Sequence, residues 1–249
     1  MKTNIIHLET TDSTNEYLKR HQNSLASGTL VCAEQQSRGK GRRGHEWASM
    51  RGKSLLFSML IKPHITFQPA TNLSICPAIA LIRALAQLNI KAAVKWPNDI
   101  VMNNRKIAGI LVESSWQSDT IKTVVIGVGI NVSQDQNDFS GLSEAGSILT
   151  QTGRYIDRDE LFESICAEFY RFSSYFEMRK PFHELIQEWL SYCDHIDSPI
   201  HLMDGSGKRG GIFRSINEQG EAIVETPDKQ HHIFENSKYK MRKTNAVDD

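Results

Sequence analysis

Residues 36–47 read QSRGKGRRGHEW, a segment that gathers four cations and three glycines between Arg38 and Trp47. Apolar runs of strand length lie on either side of it, at residues 29–33 and 54–61. Glycines let a backbone approach a ligand closely, arginine and lysine attract anions, and the Trp47 ring offers a flat face for stacking. A strand that leads into such a loop predicts an anion-binding site, while a solvated basic turn remains the alternative from this segment alone.

The same glycines match the spacing G-x-G-x-x-G of a dinucleotide-binding fingerprint, at Gly39, Gly41 and Gly44. That fingerprint requires a helix directly after it and an acidic residue about 20 positions further on. Residues 45–53 have no helical apolar period, so we do not expect a Rossmann fold. Nor do residues 51–54, RGKS, form a Walker A loop, because Trp47 stands where that motif needs its first glycine.

The composition bounds the classes of protein to consider. The chain has 249 residues, 39% of them hydrophobic, and a formal net charge of zero. This length allows one large domain, or one domain and a smaller one, and the charge balance does not favour general binding to nucleic acid or anionic membranes. We expect no membrane span and no signal peptide, because no apolar run is long enough. The four scattered cysteines form no C-x-x-C motif and indicate a reducing, cytoplasmic setting.

The apolar periodicity of the first three quarters of the chain predicts an α+β domain. We expect a mixed, largely antiparallel sheet that is flanked by helices. The expected strands are at residues 5–8, 29–33, 54–61, 92–95, 100–102, 107–113 and 121–129. The expected helices are at residues 13–21 with a capping box, and at 70–89, 144–151, from 157 onward and 181–192.

The pattern changes at about residue 194 to short strands that are separated by turn residues. Four such strands are expected, at residues 199–202, 211–216, 221–225 and 231–234, and their even spacing is typical of a small β-barrel. We therefore divide the chain into residues 1–194 and 195–249, with a disordered tail at 244–249. His231 and His232 would point to opposite faces of a strand, so they do not predict a metal site.

Polar residues also gather at four other places beside apolar strands: STN at 13–15, KWPND at 95–99, RKIAGILVE at 105–113 and GVGIN at 127–131. Three glycines in adjacent expected strands, Gly109, Gly127 and Gly129, weaken a sheet unless something must lie close to its backbone. Lys106 could serve that ligand, or it could simply extend from a strand end into water. No nucleophile–base pair and no metal-ligand spacing occurs. Cations, amides and rings suit chemistry by positioned charge, such as nucleotidyl transfer to a carboxylate.

Taken together, these motifs resemble those of the biotin protein ligases in both order and spacing. The segments are TDSTN at 11–15, GKGRRG-x-x-W at 39–47, KWPND at 95–99, K-x-AGILVE at 106–113 and G-x-GIN at 127–131. The resemblance implies a class II synthetase-like catalytic domain at 1–194, followed by an SH3-like β-barrel at 195–249. Lys40 departs from the family's usual arginine, which keeps the charge but loses the bidentate fork.

The resemblance also implies the reaction and its partners. Biotin and ATP would form biotinyl-5′-AMP and pyrophosphate, with Mg²⁺ on the ATP phosphates and no metal ligand assigned to a side chain. The biotinyl group would then pass to one lysine of the biotin carboxyl carrier protein of acetyl-CoA carboxylase. Because the STN motif begins at Ser13, we expect no helix-turn-helix domain and no operator DNA. Monomer and homodimer both stay open. A lipoate ligase or octanoyltransferase of the same fold is the main alternative, and a nucleic-acid-binding module is the second.

Site residues follow by position within the motifs. Lys106, Arg42 and Asp99 are expected to be catalytic: Lys106 would neutralise the reacting carboxylate and phosphate, Arg42 would close over the intermediate, and Asp99 would serve the nucleotide, the metal or the incoming lysine. The expected biotin site comprises Ser13, Thr14, Asn15, Gln36, Gly39, Lys40, Arg42, Lys106, Gly109, Gly127 and Gly129. The expected nucleotide site comprises Arg42, Arg43, Trp47, Asn98, Asp99, Lys106 and Asn131, with Trp47 stacked on adenine.

Overall fold

A seven-stranded sheet carries most of the buried side chains. The structure is a computed structural model that describes residues 4–63, 73–118, 120–178, 182–204 and 207–244. The strand order is β1-β2-β3-β7-β6-β5-β4, in which β1 and β2 are parallel and every other pair is antiparallel. The strands are β1 (Ile5–Thr11), β2 (Leu30–Gln36), β3 (Ser54–Ile61), β4 (Ala93–Lys95), β5 (Asp99–Met102), β6 (Arg105–Gln117) and β7 (Thr120–Asn131).

Helices cover this sheet because their apolar faces need a partner. The helices are α1 (Thr14–His21), α2 (Ile75–Gln87), α3 (Ile148–Thr152), α4 (Arg158–Met178) and α5 (Phe182–Ser191). Helix α2 is buried along most of its length and packs against both α4 and α5. The Arg83 side chain of α2 forms a two-bond ion pair with Glu188 of α5, with nitrogen–oxygen distances of 2.7 and 2.8 Å.

A second sheet follows, with five antiparallel strands in the order β11-β10-β9-β8-β12. Its strands are β8 (Pro199–Asp204), β9 (Gly207–Ile216), β10 (Ala222–Glu225), β11 (His231–Phe234) and β12 (Lys240–Lys243). Two contacts join it to the preceding part of the chain. The Trp96 indole donates a 3.0 Å hydrogen bond to the carbonyl of Gly220, and Lys243 Nζ lies 2.7 Å from the Asp194 carboxylate.

The structure confirms the expected mixed, mostly antiparallel sheet and most of its strands. Strands β6 and β7 are longer than expected, and β12 was not predicted at all. The capping box of α1 is wrong: Ser13 is the N-cap residue, but its side chain makes no capping hydrogen bond. Glu16 instead lies 2.5 Å from Lys19 Nζ and 2.6 Å from Lys40 Nζ.

Other predictions differ from the structure, lie outside the described residues or stay untested. Helix α3 begins at Ile148 rather than at residue 144, because Ser147 caps it in a box with Thr150. Residues 70–72 and 181 of the expected helices, and 245–249 of the expected tail, lie outside the described residues. The closure of the second sheet into an SH3-like barrel stays a prediction. No helix in the described ranges is both long enough and apolar enough to cross a membrane.

Candidate active site

A cavity of about 480 Å³ opens over the seven-stranded sheet, between the loop of residues 37–53 and strand β12. Nearly every side chain singled out from the sequence lines it: Ser13, Thr14, Asn15, Gln36, Lys40, Arg42, Arg43, Trp47, Asn98, Asp99, Lys106, Gly109, Gly127, Gly129 and Asn131. Gly39 does not line the cavity. A Cβ there would lie 2.5 Å from the carbonyl oxygen of Trp47, so this glycine serves the packing of the loop itself.

One end of the cavity is a network of buried amides and hydroxyls. Gln36 Oε1 accepts hydrogen bonds from the backbone N–H of Thr14, at 2.7 Å, and from its hydroxyl, at 3.1 Å. Ser58 Oγ lies 2.6 Å from Thr14 Oγ1 and 2.6 Å from Asn15 Oδ1. Asn15 donates its amide to Glu113 Oε2 at 2.8 Å. These bonds fix the orientations of the Thr14, Asn15 and Gln36 side chains.

Ser58 and Glu113 were not among the predicted site residues. Ser58 is fully buried in the middle of strand β3, whose sequence is otherwise apolar apart from Ser54 at its start. A lone buried hydroxyl in such a strand is a usable signal, because a buried polar group needs a partner. Glu113 ends the motif of β6, and its second oxygen lies 2.8 Å from Lys19 Nζ.

The sheet glycines make room for side chains of this chain. A Cβ at Gly127 would overlap the Asn15 amide, and one at Gly129 would overlap the Trp47 indole. At Gly109, a Cβ would lie 2.9 Å from the Trp47 ring and 3.2 Å from Lys106 Nζ. The glycines therefore permit the close approach that the sequence indicated. Contact of biotin with the same glycines stays a prediction.

Lys106 is held in place through its backbone. Its N–H donates to the carbonyl of Glu144 at 2.8 Å, and its carbonyl accepts from the N–H of Gly146 at 3.0 Å. A bulge in the β5–β6 pairing lies next to it. Its ammonium lies 2.6 Å from Asp99 Oδ1 and 5.4 Å from the centre of a Trp47 ring. The side chain therefore presents one positive charge at the cavity, between a carboxylate and an aromatic face.

The two adjacent arginines of the loop bind the second sheet. Arg42 donates to Asn98 Oδ1 at 3.3 Å and to the carbonyl of Asn236, and Arg43 donates to the carbonyl of Ser237 at 3.1 Å. Burial, and then the nearby charge of Arg43, lower the pKa of Arg42 to about 10, so it remains a cation at neutral pH. Only a three-residue 3₁₀ turn, Arg42–Gly44, occurs here, which confirms that no dinucleotide-type helix follows the glycines.

The far end of the cavity contains a second buried amide network. Asn131 donates to the carbonyl of Gly146 at 2.9 Å. Gln134 donates to Asn131 Oδ1 at 3.1 Å and to Ser54 Oγ at 2.8 Å. Asn131 was predicted to bind a nucleotide, whereas Gln134 was missed, since it lies three residues beyond the GVGIN motif.

The cavity is lined by cations, amides and aromatic rings, and these groups limit the chemistry that it can perform. Within the described ranges, no group of three or more His, Cys, Asp and Glu side chains could hold a metal ion. The four cysteines are free, and burial raises the pKa of Cys76 to about 12. Cys76 is therefore not a nucleophile. Such a site can bind an anion and stabilise charge that develops on it.

Comparison with known proteins agrees with this geometry. Residues 7–131 match the family model described as Biotin/lipoate A/B protein ligase family. The chain is 32% identical to the bifunctional ligase/repressor BirA of Bacillus spizizenii over 85% of its own length and 66% of that protein's. It is 30% identical to the biotin--[acetyl-CoA-carboxylase] ligase of Paracoccus denitrificans, over 88% and 93% of the two chains.

A solved structure is also similar. The biotin protein ligase of Aquifex aeolicus, in complex with biotin and ATP, superposes with a TM-score of 0.84 at 28% identity, covering 98% of this chain and all of that one. The family model spans half of this chain and includes the STN, loop, KWPND, AGILVE and GVGIN segments. The chain therefore belongs to the biotin/lipoate A/B protein ligase family and, within it, to the biotin protein ligases.

Proposed function

We propose that this protein attaches biotin to a lysine of a biotin carboxyl carrier protein, through a biotinyl-5′-AMP intermediate. The observation that carries the proposal is the convergence on one cavity of the Lys106 cation, the Arg42 loop and the Asn15–Gln36 amide network. The biotin--[acetyl-CoA-carboxylase] ligase of Paracoccus denitrificans and the Aquifex aeolicus enzyme in complex with biotin and ATP support it. They do not favour the lipoate ligase or octanoyltransferase alternative.

In the first step, a carboxylate oxygen of biotin attacks the α-phosphorus of ATP. A new oxygen–phosphorus bond forms, and the bond from the α-phosphorus to the bridging oxygen breaks, which releases pyrophosphate. Two anions must approach each other, so the step needs a fixed positive charge between them. Lys106 supplies that charge, and Arg42 adds a second one when the loop closes.

In the second step, the amine of the carrier lysine attacks the carbonyl carbon of the mixed anhydride. The carbon–nitrogen bond forms, AMP leaves with the electron pair of the carbon–oxygen bond, and the amine loses a proton. Asp99 lies beside Lys106, where it can accept that proton or contact the nucleotide. No covalent intermediate with the protein is required, which agrees with the absence of a nucleophile–base pair from the predicted site.

Mg²⁺ would be held chiefly by the phosphate oxygens of ATP, because Asp99 is the only carboxylate among the predicted site residues. Its contribution would be to neutralise charge on the leaving pyrophosphate. We assign the direct positioning of the reacting atoms to Lys106, Arg42 and the backbone around them, and not to the metal ion.

The direct test is an incubation of the full chain with biotin, ATP, Mg²⁺ and a carrier domain. We expect the carrier to gain the mass of one biotinyl group, and pyrophosphate to appear in equal amount. Reactions without ATP, or with lipoate in place of biotin, should leave the carrier unchanged. The proposal would be contradicted if biotin caused no pyrophosphate release. It would also be contradicted if lipoate were transferred at a rate similar to that of biotin.

We also expect the loop of residues 37–53 to become ordered when substrates bind. Its exposed cations, including Arg38 and Arg51, are sites for trypsin in the free protein, and closure over an anionic intermediate would cover part of the loop. Limited proteolysis should be slower with biotin and ATP together than with neither. Cleavage after Lys208 and Arg209, in exposed positions of β9, is the internal control. Equal cleavage of the loop in both states would contradict closure.

The remaining proposals concern the setting of the enzyme. We infer that residues 1–194 form the catalytic domain and that residues 195–249 close as an SH3-like barrel. The carrier is expected to be that of acetyl-CoA carboxylase, in the cytoplasm. The predictions of no operator DNA, and of a monomer or homodimer, are testable by a salt titration of DNA binding and by sedimentation.

A further inference from the structure

The loop between β2 and β3 folds back on itself as a short hairpin at residues 39–47. The N–H of Trp47 donates to the carbonyl of Gly39 at 2.9 Å, and Lys40 pairs with Glu46 in an antiparallel bridge. Lys40 and Trp47 therefore belong to facing arms of one unit. Because the two arms are hydrogen-bonded, a contact that holds Lys40 in place also restrains the arm that carries Trp47.

An ion pair holds the Lys40 arm of this hairpin against helix α1. Lys40 Nζ lies 2.6 Å from Glu16 Oε1, and Lys19 Nζ lies 2.5 Å from the same oxygen. Hydrogen bonds from Lys19, and then from Lys40, hold the pKa of Glu16 below its usual value, so this side chain is a carboxylate at neutral pH. The Glu16 side chain is only 22% exposed, which limits the screening of its ion pairs by solvent.

Helix α1 also carries the buried amide of the cavity. Asn15, the residue before Glu16, donates to Glu113 Oε2 at 2.8 Å, and Glu113 Oε1 lies 2.8 Å from Lys19 Nζ. Glu16, Lys19 and Glu113 thus form a series of alternating charges that ends at the Asn15 amide. Lys40 joins the hairpin to this series.

The contact with Glu16 gives Lys40 a role that suits a lysine. A carboxylate oxygen shared by two ammonium groups needs point charges and does not need the bidentate fork of an arginine. The tip of the hairpin is bound separately, because Arg42 and Arg43 donate to the carbonyls of Asn236 and Ser237. The hairpin is therefore held at its tip by the second sheet and at its first arm by α1.

We propose that Glu16 is a positioning residue that holds the hairpin, through Lys40, against the Asn15 amide network. The inference rests on the proposed function and names the contact that couples the loop to biotin binding at that network. Lys40 then acts through its ion pair, in place of the direct contact with biotin that the resemblance implies. A partly exposed ion pair is a weak contact, so its loss should change the hairpin equilibrium by about 2- to 5-fold.

The first measurement needs no ligand. Amide hydrogen exchange of residues 39–47 is followed in the full chain for the wild type, Glu16→Gln, Lys40→Gln and the double variant. Each single change should lower the protection factors of the hairpin by about 2- to 5-fold. The double variant should lower them no further, because both changes remove the same pair. Lys40→Arg should keep the wild-type protection. Arg38→Gln, which removes an exposed cation from the same loop, is the matched control.

The second measurement is the dissociation rate of labelled biotin from the same proteins. Glu16→Gln and Lys40→Gln should each release biotin about 2- to 5-fold faster, with little change in the association rate, and the double variant should be no faster than the faster single one. Added salt should shrink the difference between the wild type and either variant, because ions screen a partly exposed pair. A purely structural defect in α1 would not respond to salt in this way.

Three results would overturn the proposal. Unchanged protection of the hairpin in Glu16→Gln would mean that the ion pair does not hold it. Additive effects in the double variant would mean that the two residues act separately. Faster release of biotin from Lys40→Gln alone would mean that Lys40 contacts biotin directly. Failure of the proposed function is recognised separately, as a chain whose hydrogen exchange responds to the variants as expected but which binds no biotin.

Discussion

Replacement of Lys106 by alanine is expected to lower the rate of biotinyl-AMP formation by about 10²- to 10³-fold. In the proposed mechanism the Lys106 ammonium is the charge between the two reacting anions. The backbone of Lys106 is fixed on both sides by residues 144–146. Removal of the side chain leaves those backbone bonds in place, so the fold should persist while the charge is lost. Asp99 also loses its ion-pair partner, because Lys106 Nζ lies 2.6 Å from Asp99 Oδ1. Its negative charge would then be unpaired where the phosphate is expected to bind.

The measurement for this variant is pyrophosphate release with biotin and radiolabelled ATP, at saturating and at low nucleotide. Lys122→Ala is the matched control, because Lys122 is an exposed lysine of the neighbouring strand β7. Lys106→Arg should recover part of the rate, since it keeps the charge but not its position. Adenylate formation near the normal rate in Lys106→Ala would remove this residue from the mechanism.

Substitution of Arg42 by glycine is expected to let biotinyl-AMP escape and to modify lysines on bystander proteins. The Arg42 guanidinium connects the loop to Asn98 and to the carbonyl of Asn236. A hydrogen bond from a charged group contributes about 1.5–3 kcal/mol, so its loss should speed release of the intermediate by about 10- to 100-fold. The released anhydride reacts with any accessible amine.

Mass spectrometry of an unrelated protein added to the reaction measures this leak. Arg51→Gly is the control, since Arg51 lies in the same loop but pairs with the exposed Glu9. We expect bystander labelling by the Arg42 variant alone, reduced when free amines are added as scavengers. An Arg42→Gly protein that labels only the carrier would show that this residue does not retain the intermediate.

Local sequence patterns were sufficient for most of the first sheet. Strand β3 is an apolar run in which each residue is buried, and α2 has a continuous apolar period, so their identity follows from composition and spacing. Strand β12 was missed because its four residues, KMRK, contain three cations and only one buried apolar side chain, Met241. Pairing with β8, not local propensity, makes it a strand.

The candidate site also contains residues that the local sequence predicts and residues whose roles appear only in the folded chain. Its motif residues could be named from the sequence, because their types and spacing are distinctive. The roles of Ser58, Glu113 and Gln134 were not predicted, because their partners lie 43, 98 and 80 residues away in the chain. The place of Trp47 over Gly109 and Gly129 is likewise a property of the folded loop, which no local pattern encodes.

The hydrogen bonds between the loop of residues 37–53 and the turn before β12 have a practical consequence. Arg42 and Arg43 bind main-chain carbonyls of Asn236 and Ser237, so the contact does not depend on which side chains stand there. Alanine scanning of residues 235–238 would therefore pass over it, and natural drift at these positions would leave it intact. Apart from replacement of the two arginines themselves, breaking this contact would take a change to the path of the chain, such as a one-residue insertion in this turn.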